Sequence, residues 1–159
     1  MVYLKAMGGW LKMKVNNKGL IENTIGFTCS SFDLLHAGHI IMLQDAKQQC
    51  DKLIVGLQTD PTIDRPLTKN TPIQTLEERK IQLEAVRYID DIYVYDTEDS
   101  LIDLIKLVKP DIRILGSDYE GKPFTGDFLN IPIHFHYRYH DYSTTNLRKM
   151  IYNREVTKW

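Results

Sequence analysis

His36 and His39 lie three residues apart around Gly38, within the run Ser30-Ser31-Phe32-Asp33-Leu34-Leu35-His36-Ala37-Gly38-His39. A strand-like stretch from Thr24 to Cys29 leads into this run, and Ile40, Ile41, Leu43 and Ala46 follow it at helical spacing. The histidines therefore fall at a helix N-terminus, where free backbone N–H groups and a partial positive charge hold phosphate oxygens. Imidazoles there add directed donors, and Gly38 leaves room for a ligand to approach the backbone. A lone His-x-x-His is more often one cap beside one surface histidine. Arg138-Tyr139-His140-Asp141-Tyr142-Ser143-Thr144-Thr145-Asn146 supplies a second group, placing hydroxyls and free N–H groups at the start of the last helix. Ser-Thr-Thr by itself is an ordinary N-cap, so the meaning lies in the pair of motifs. Arg79 and Arg87 are about two turns apart on one helix and point the same way, either into a site or into solvent.

These motifs need a scaffold that brings two helix starts together. Lys52 to Gln58 reads as a buried strand, and Asp60 to Gln74, with three prolines, as a long loop. Loops of that length in compact domains are often functional. Thr75-Leu76-Glu77-Glu78 has capping-box spacing and opens a helix to about Tyr88. Ile92 to Tyr95 is a third strand, a helix runs from Ser100 through Val108, and Pro110 stops it. Ile112 to Gly116 and Ile131 to Tyr137 complete five strands. A last helix begins near Ser143 with Leu147, Met150 and Ile151 on one side. This alternation predicts an α/β domain with a mainly parallel five-stranded sheet, helices on both faces, and the ligand at the carboxyl ends of the strands.

The chain has 159 residues and 43% hydrophobic content, enough for one domain that buries about two thirds of its unfolded surface. Residues 1–22 read as an N-terminal extension and 23–159 as the domain. Lys plus Arg (20) nearly balances Asp plus Glu (21), which excludes the strong basic field of a nucleic-acid binder and makes any phosphate site local. Neither a signal peptide nor an apolar run of membrane-spanning length is present. Cys29 and Cys50 lack metal-ligand spacing. The expectation is a reduced, cytoplasmic setting without a membrane partner.

The Ser31–His39 string, SFDLLHAGH, resembles the HxGH signature of the cytidylyltransferase-like nucleotidyltransferases, most of all the glycerol-3-phosphate cytidylyltransferases. The likeness runs from about Phe27 to Ile151. It takes in the DAKQQCDKLIVGLQTD segment, the helix from Glu78-Arg79 to Arg87-Tyr88-Ile89-Asp90, the loop Gly116 to Lys122, and Arg138 with Ser143-Thr144-Thr145. Ser30 departs from the pattern, which has glycine there. The resemblance implies a Rossmann-like nucleotidyltransferase fold that transfers CMP from CTP to a small phosphorylated alcohol and releases pyrophosphate. His36, His39, Ser143 and Thr144 would be catalytic, and Ser31, Phe32, Gly38, Arg138 and Thr145 would hold the nucleotide. Arg65, Lys69, Arg79, Arg87 and Asp118 would face the phosphates or the acceptor. Mg²⁺ would come with the triphosphate, with no protein metal cage, and a homodimer would pair through Arg87 to Asp90.

Two other readings compete. An adenylyltransferase acting on a sugar phosphate such as heptose 1-phosphate shares the HAGH core and the Ser-Thr-rich end, and its pattern resembles Glu98-Asp99-Ser100-Leu101. Arg138 and the Asp118-Tyr119-Glu120-Gly121-Lys122 string favour the CTP enzyme instead. A nucleotide-binding sensor without turnover is the third, and intact His36, His39, Ser143 and Thr144 argue against it.

Overall fold

The computed structural model describes residues 2–6, 9–13 and 24–158. In chain order the elements are β1 (Val2–Ala6), β2 (Gly9–Met13), β3 (Ile25–Ser30), α1 (Ala37–Gln48), β4 (Lys52–Gln58), α2 (Leu76–Glu84), β5 (Asp91–Tyr95), α3 (Glu98–Val108), β6 (Ile112–Gly116), β7 (Ile133–His136) and α4 (Thr144–Val156). β1 and β2 pair antiparallel with each other, so the region read as an N-terminal extension contains two strands. The expected boundary at residues 22/23 lies outside the described residues.

β3 to β7 form one all-parallel sheet in the order β5-β4-β3-β6-β7. β4 is apolar at most positions because both of its faces are covered. Leu53, Val55 and Leu57 pack with Leu43 and Ala46 of α1 and Leu83 of α2 on one side. Ile54 joins Phe27, Tyr95 and the α3 residues Leu101, Leu104 and Ile105 on the other. The Rossmann-like α/β fold with helices on both faces is therefore present. The chain leaves β3 in one direction for β4 and later crosses to β6 on its other side. That reversal opens a crevice at the carboxyl ends of β3 and β6, the place where such folds bind ligands.

Three boundaries differ from the sequence reading. α2 stops at Glu84 and continues only as turns, with Val86 N–H on the Leu83 carbonyl and Ile89 N–H on the Val86 carbonyl. α3 starts at Glu98, because Thr97 caps it and Ser100 closes a capping box as its third residue. β7 is confined to Ile133–His136, since Pro132 has no N–H and contributes only its carbonyl, to Arg113 N–H at 2.9 Å. Along α4, no residue is buried, and Met150 and Ile151 stay 49% and 47% exposed. What fastens this helix is its first turn together with Arg148.

Candidate active site

α1 begins with a capping box made of two imidazoles. His36 is the N-cap and its Nδ1 accepts from Gly38 N–H at 3.1 Å, while His39 Nδ1 accepts from His36 N–H at 3.4 Å. The rings stack with centroids 3.9 Å apart. Because both Nδ1 atoms accept, both imidazoles, when neutral, carry their proton on Nε2. Burial, aided by His140, lowers the pKa of His36. Burial also acts on His39, reinforced by His36 and only partly opposed by Asp33, and brings it to about 3. At neutral pH the pair is thus two uncharged donors.

The segment before α1 is strained. Phe32 and Leu34 have φ of 48° and 50°, a left-handed backbone that costs non-glycine residues about 1–3 kcal/mol each. Tertiary contacts hold it there. The Phe32 ring is fully buried and packs 5.3 Å from His39, and Asp33, 4% exposed, accepts from Ile73 N–H and Gln74 N–H at 3.0 and 2.9 Å. Arg148 Nη2 reaches the other Asp33 oxygen at 2.9 Å and the Thr71 carbonyl at 2.7 Å. Burial opposes ionisation of Asp33, but the Gln74 and Ile73 amides and Arg148 outweigh it and hold the carboxyl below its usual range. Asp33 therefore ties the histidine loop, the 59–75 loop and α4 into one frame. It sits inside the SFDLLHAGH string, yet its organising role is visible only in three dimensions.

Ser143 caps α4 by accepting from Asn146 N–H at 3.1 Å. The next residue carries the junction. Thr144 Oγ1 donates to the Asp33 carbonyl at 3.2 Å and lies 3.3 Å from His36 Nε2, so the starts of α1 and α4 touch. Both open into a cleft of about 830 Å³, within the range of small-molecule sites. Its wall includes Ser31, His36, Gly38, His39, Ser143, Thr144 and Thr145, and Arg65 and Lys69 from the long loop. Asp118 and Arg138 also line it and pair with each other at 2.9 Å, each about half exposed.

Several candidates occupy other places. Phe32 backs His39 from the core and is not on the cleft wall. Gly38 does lie on the cleft wall, and a Cβ there would come within 3.0 Å of the Tyr142 carbonyl and His36 and 3.1 Å of His140, so its missing side chain also lets α1 meet the 140–142 segment. Arg79 is 2% exposed and spends its donors on the carbonyls of Ser31, Gln58, Thr59, Gln74 and Thr75. Arg87 is exposed, lies over the Tyr88 ring and bonds its hydroxyl, away from the cleft. Sequence reasoning missed Cys29, Tyr95, Glu98, Arg113, Thr125 and His136, all on the cleft wall. Arg113 carried the one available signal, a charged residue inside the apolar run Ile112 to Leu115.

The histidine geometry sets an acid limit on stability. His39 titrates near 3 when folded and near 6.5 when unfolded, so between those values the unfolded chain binds more protons. Stability is complete above about pH 6.5 and falls as pH drops towards 3. The melting temperature of the ligand-free protein is expected to fall steadily from pH 7 to 5, with a shallower fall in His39→Gln. A flat wild-type profile over that interval would contradict the buried neutral pair.

The profile of the cytidylyltransferase-like family matches residues 27–150. Similar curated proteins include the bifunctional protein HldE of Campylobacter fetus, 39% identical over 114 residues that cover 72% of this chain and 24% of that protein. HldE of Wolinella succinogenes is 41% identical over 105 residues, covering 66% of this chain and 22% of that one. The chain thus spans about a quarter of the length of these relatives. Among solved structures, a lipopolysaccharide core biosynthesis protein from Thermoplasma volcanium superposes with a TM-score of 0.58 at 26% identity, covering 77% of this chain and all of that one. A pantoate-beta-alanine ligase from Francisella tularensis, with a TM-score of 0.55 at 21% identity, covering 78% of this chain and 63% of that one, shares the fold. The capped pair His36 and His39, the Ser143-Thr144 helix start that meets it and the crevice above β3 and β6 all fall inside the matched span, and the chain belongs to the cytidylyltransferase-like family of nucleotidyltransferases.

Proposed function

We propose that this protein transfers a nucleoside monophosphate, from ATP in preference to CTP, to a small sugar phosphate and releases pyrophosphate. The observation that carries the reading is the 3.3 Å contact between His36 Nε2 and Thr144 Oγ1, which joins two helix N-termini at one point of the cleft. The phosphates of a triphosphate fit between two such ends, each with free N–H groups and a positive dipole end. An oxygen of the acceptor phosphate forms a bond to the α-phosphorus in line, and the bond to the pyrophosphate oxygen breaks. A phosphate monoester is largely dianionic at neutral pH, its second pKa being about 6, so no general base is needed. The Nε2–H donors of His36 and His39 meet the charge that develops on the transferred group, while Ser143, Thr144 and the α4 amides hold the departing pyrophosphate. Mg²⁺ enters as part of the triphosphate substrate; among the described residues no group of three or more His, Cys, Asp or Glu is placed to hold a metal ion.

The choice of ATP over CTP, and of a sugar phosphate over glycerol 3-phosphate, rests on the HldE relatives. The two features that favoured CTP in the sequence, Arg138 and the Asp118 string, form one ion pair at the cleft and so count as one observation. The test is a matrix of ATP and CTP against sugar 1-phosphates and glycerol 3-phosphate, read as pyrophosphate release. ATP with a sugar 1-phosphate is expected to give the highest kcat/KM. Arg138→Lys, which loses the planar fork, is expected to raise the nucleotide KM about tenfold and leave the acceptor KM unchanged. Preference for CTP with glycerol 3-phosphate would return the assignment to the cytidylyltransferase reading.

A further inference from the structure

The cleft wall also takes in a chamber on the α3 side of the sheet, lined by Tyr95, Glu98, Leu101 and Thr125, and its most buried charged group is Arg113. This residue stands on β6 opposite Phe27 of β3 and is 2% exposed. Nη1 donates to the Thr125 carbonyl at 2.9 Å, the guanidinium lies 5.3 Å from the Phe124 ring, and Nε is buried without a partner. Gly126, at φ +76°, lets the 123–127 loop close over the guanidinium, since a Cβ there would sit 3.2 Å from Nη1.

The charge of Arg113 has no contacting counter-charge among the described residues: Asp127 of the covering loop attracts it from beyond ion-pair distance and is itself exposed, so it offsets the buried charge only in part. Glu98 of α3 binds Arg65 at 3.0 Å and the Thr125 hydroxyl, and among the described residues Arg113 has no carboxylate in ion-pair contact. Cys29 lies against it and Tyr95 stands next to Cys29, but burial raises both of their pKa values and keeps both protonated. A buried cation left without a counter-charge opposes folding, and a chain retains one most readily where a ligand supplies the anion. In the transferase reading the triphosphate takes the helix starts of α1 and α4, which leaves this chamber for the other substrate. Arg65, Glu98, Thr125 and the Tyr95 hydroxyl supply the donors and acceptors that a hydroxylated molecule needs.

Resting on the transferase reading above, we propose that the Arg113 chamber receives the non-reacting end of the acceptor, and that this end carries an anion, a carboxylate or a second phosphate, which pairs with the guanidinium. The acceptor is then a sugar-acid phosphate or a sugar bisphosphate.

Glucose 1-phosphate, glucuronic acid 1-phosphate and glucose 1,6-bisphosphate, each with saturating MgATP, separate the cases by pyrophosphate release. The wild type is expected to use one or both of the doubly anionic acceptors with kcat/KM at least about tenfold above glucose 1-phosphate, the scale of one charged hydrogen bond. Whichever of the two leads identifies the anion as carboxylate or phosphate. In Arg113→Met the advantage disappears while turnover of glucose 1-phosphate persists, and Arg113→Lys recovers part of it. A wild type that uses glucose 1-phosphate as well as the charged pair, or an Arg113→Met that lowers all three alike, overturns the proposal. If no acceptor releases pyrophosphate, the transferase reading fails by itself. Calorimetry on the wild type then decides the chamber: tighter binding of glucuronic acid 1-phosphate or the bisphosphate than of glucose 1-phosphate supports it, and equal or absent binding overturns it. The wild-type comparisons also decide the matter if Arg113→Met does not fold.

Discussion

Replacing His39 by alanine, or His36 by alanine, is expected to lower kcat by on the order of 10²-fold or more while the fold is kept. Each substitution removes one neutral imidazole donor from the cleft wall, and a donor to developing charge contributes about 3–4 kcal/mol to the transition state. The tautomer matters as much as the position. Both Nδ1 atoms are occupied as acceptors within the capping box, at 3.1 and 3.4 Å, so the donor on each ring is Nε2, which on His36 lies 3.3 Å from Thr144 Oγ1. The two variants differ in stability. His36 is also the N-cap of α1, and its loss costs about 1 kcal/mol, whereas His39 at the third helical position loses mainly its packing against Phe32. His36→Asn is therefore the sharper control, because asparagine can cap the helix but cannot reach Thr144. It should restore the melting temperature and not the turnover. Pyrophosphate release at saturating substrates, with thermal unfolding alongside, checks the pair. Turnover near the wild-type level in either alanine variant would remove that histidine from the chemistry.

The parallel sheet was legible because its physics is local. β4 is apolar on both faces, Pro110 ends α3, and Thr75 and Glu78 form their capping box as spaced. The two helix starts at His36 and Ser143 were legible for the same reason, since a helix start declares itself through its cap and first turn. What the sequence could not assign were long side chains, whose destinations depend on elements distant in the chain. Arg79 and Arg87 share a spacing that admits a common site, yet one is buried under strand ends and the other rests on Tyr88. Arg113 falls in the middle of a strand read as such, and its surroundings depend on the Thr125 loop closing over it, twelve residues away. Asp33 likewise acquires its role from contacts with Gln74 and Arg148.

Arg79→Met is expected to destabilise the protein by about 3–5 kcal/mol, the largest effect on stability of any single substitution argued above. Nη1 of Arg79 donates to the Ser31 and Gln58 carbonyls at 2.8 and 2.7 Å, Nη2 to the Thr59 carbonyl at 2.7 Å, and Nε is shared by the Gln74 and Thr75 carbonyls at 3.1 and 3.3 Å. The guanidinium thus gathers the chain just after β3, the end of β4 and the start of α2, and of the five carbonyls the Thr75 one also accepts from the Arg79 N–H, at 3.1 Å. Methionine fills much of the volume and bonds none of them. Each buried carbonyl left unsatisfied costs about 1–3 kcal/mol, and three or more are affected. At about 2–4 °C per kcal/mol for a chain of this size, the melting temperature should fall by roughly 10 °C or more. Lysine keeps the charge but lacks the planar fork, so Arg79→Lys should fall between the two. The kinetic pattern separates this role from phosphate binding, because a positioning residue acts through Ser31 and the 59–75 loop. Substrate-saturated Arg79→Met at low temperature should retain most of its kcat with raised KM for both substrates. If Arg79→Met instead melts within about 2 °C of the wild type and loses nucleotide affinity alone, the arginine contacts the phosphates after all, and the carbonyl clamp is not what it is for.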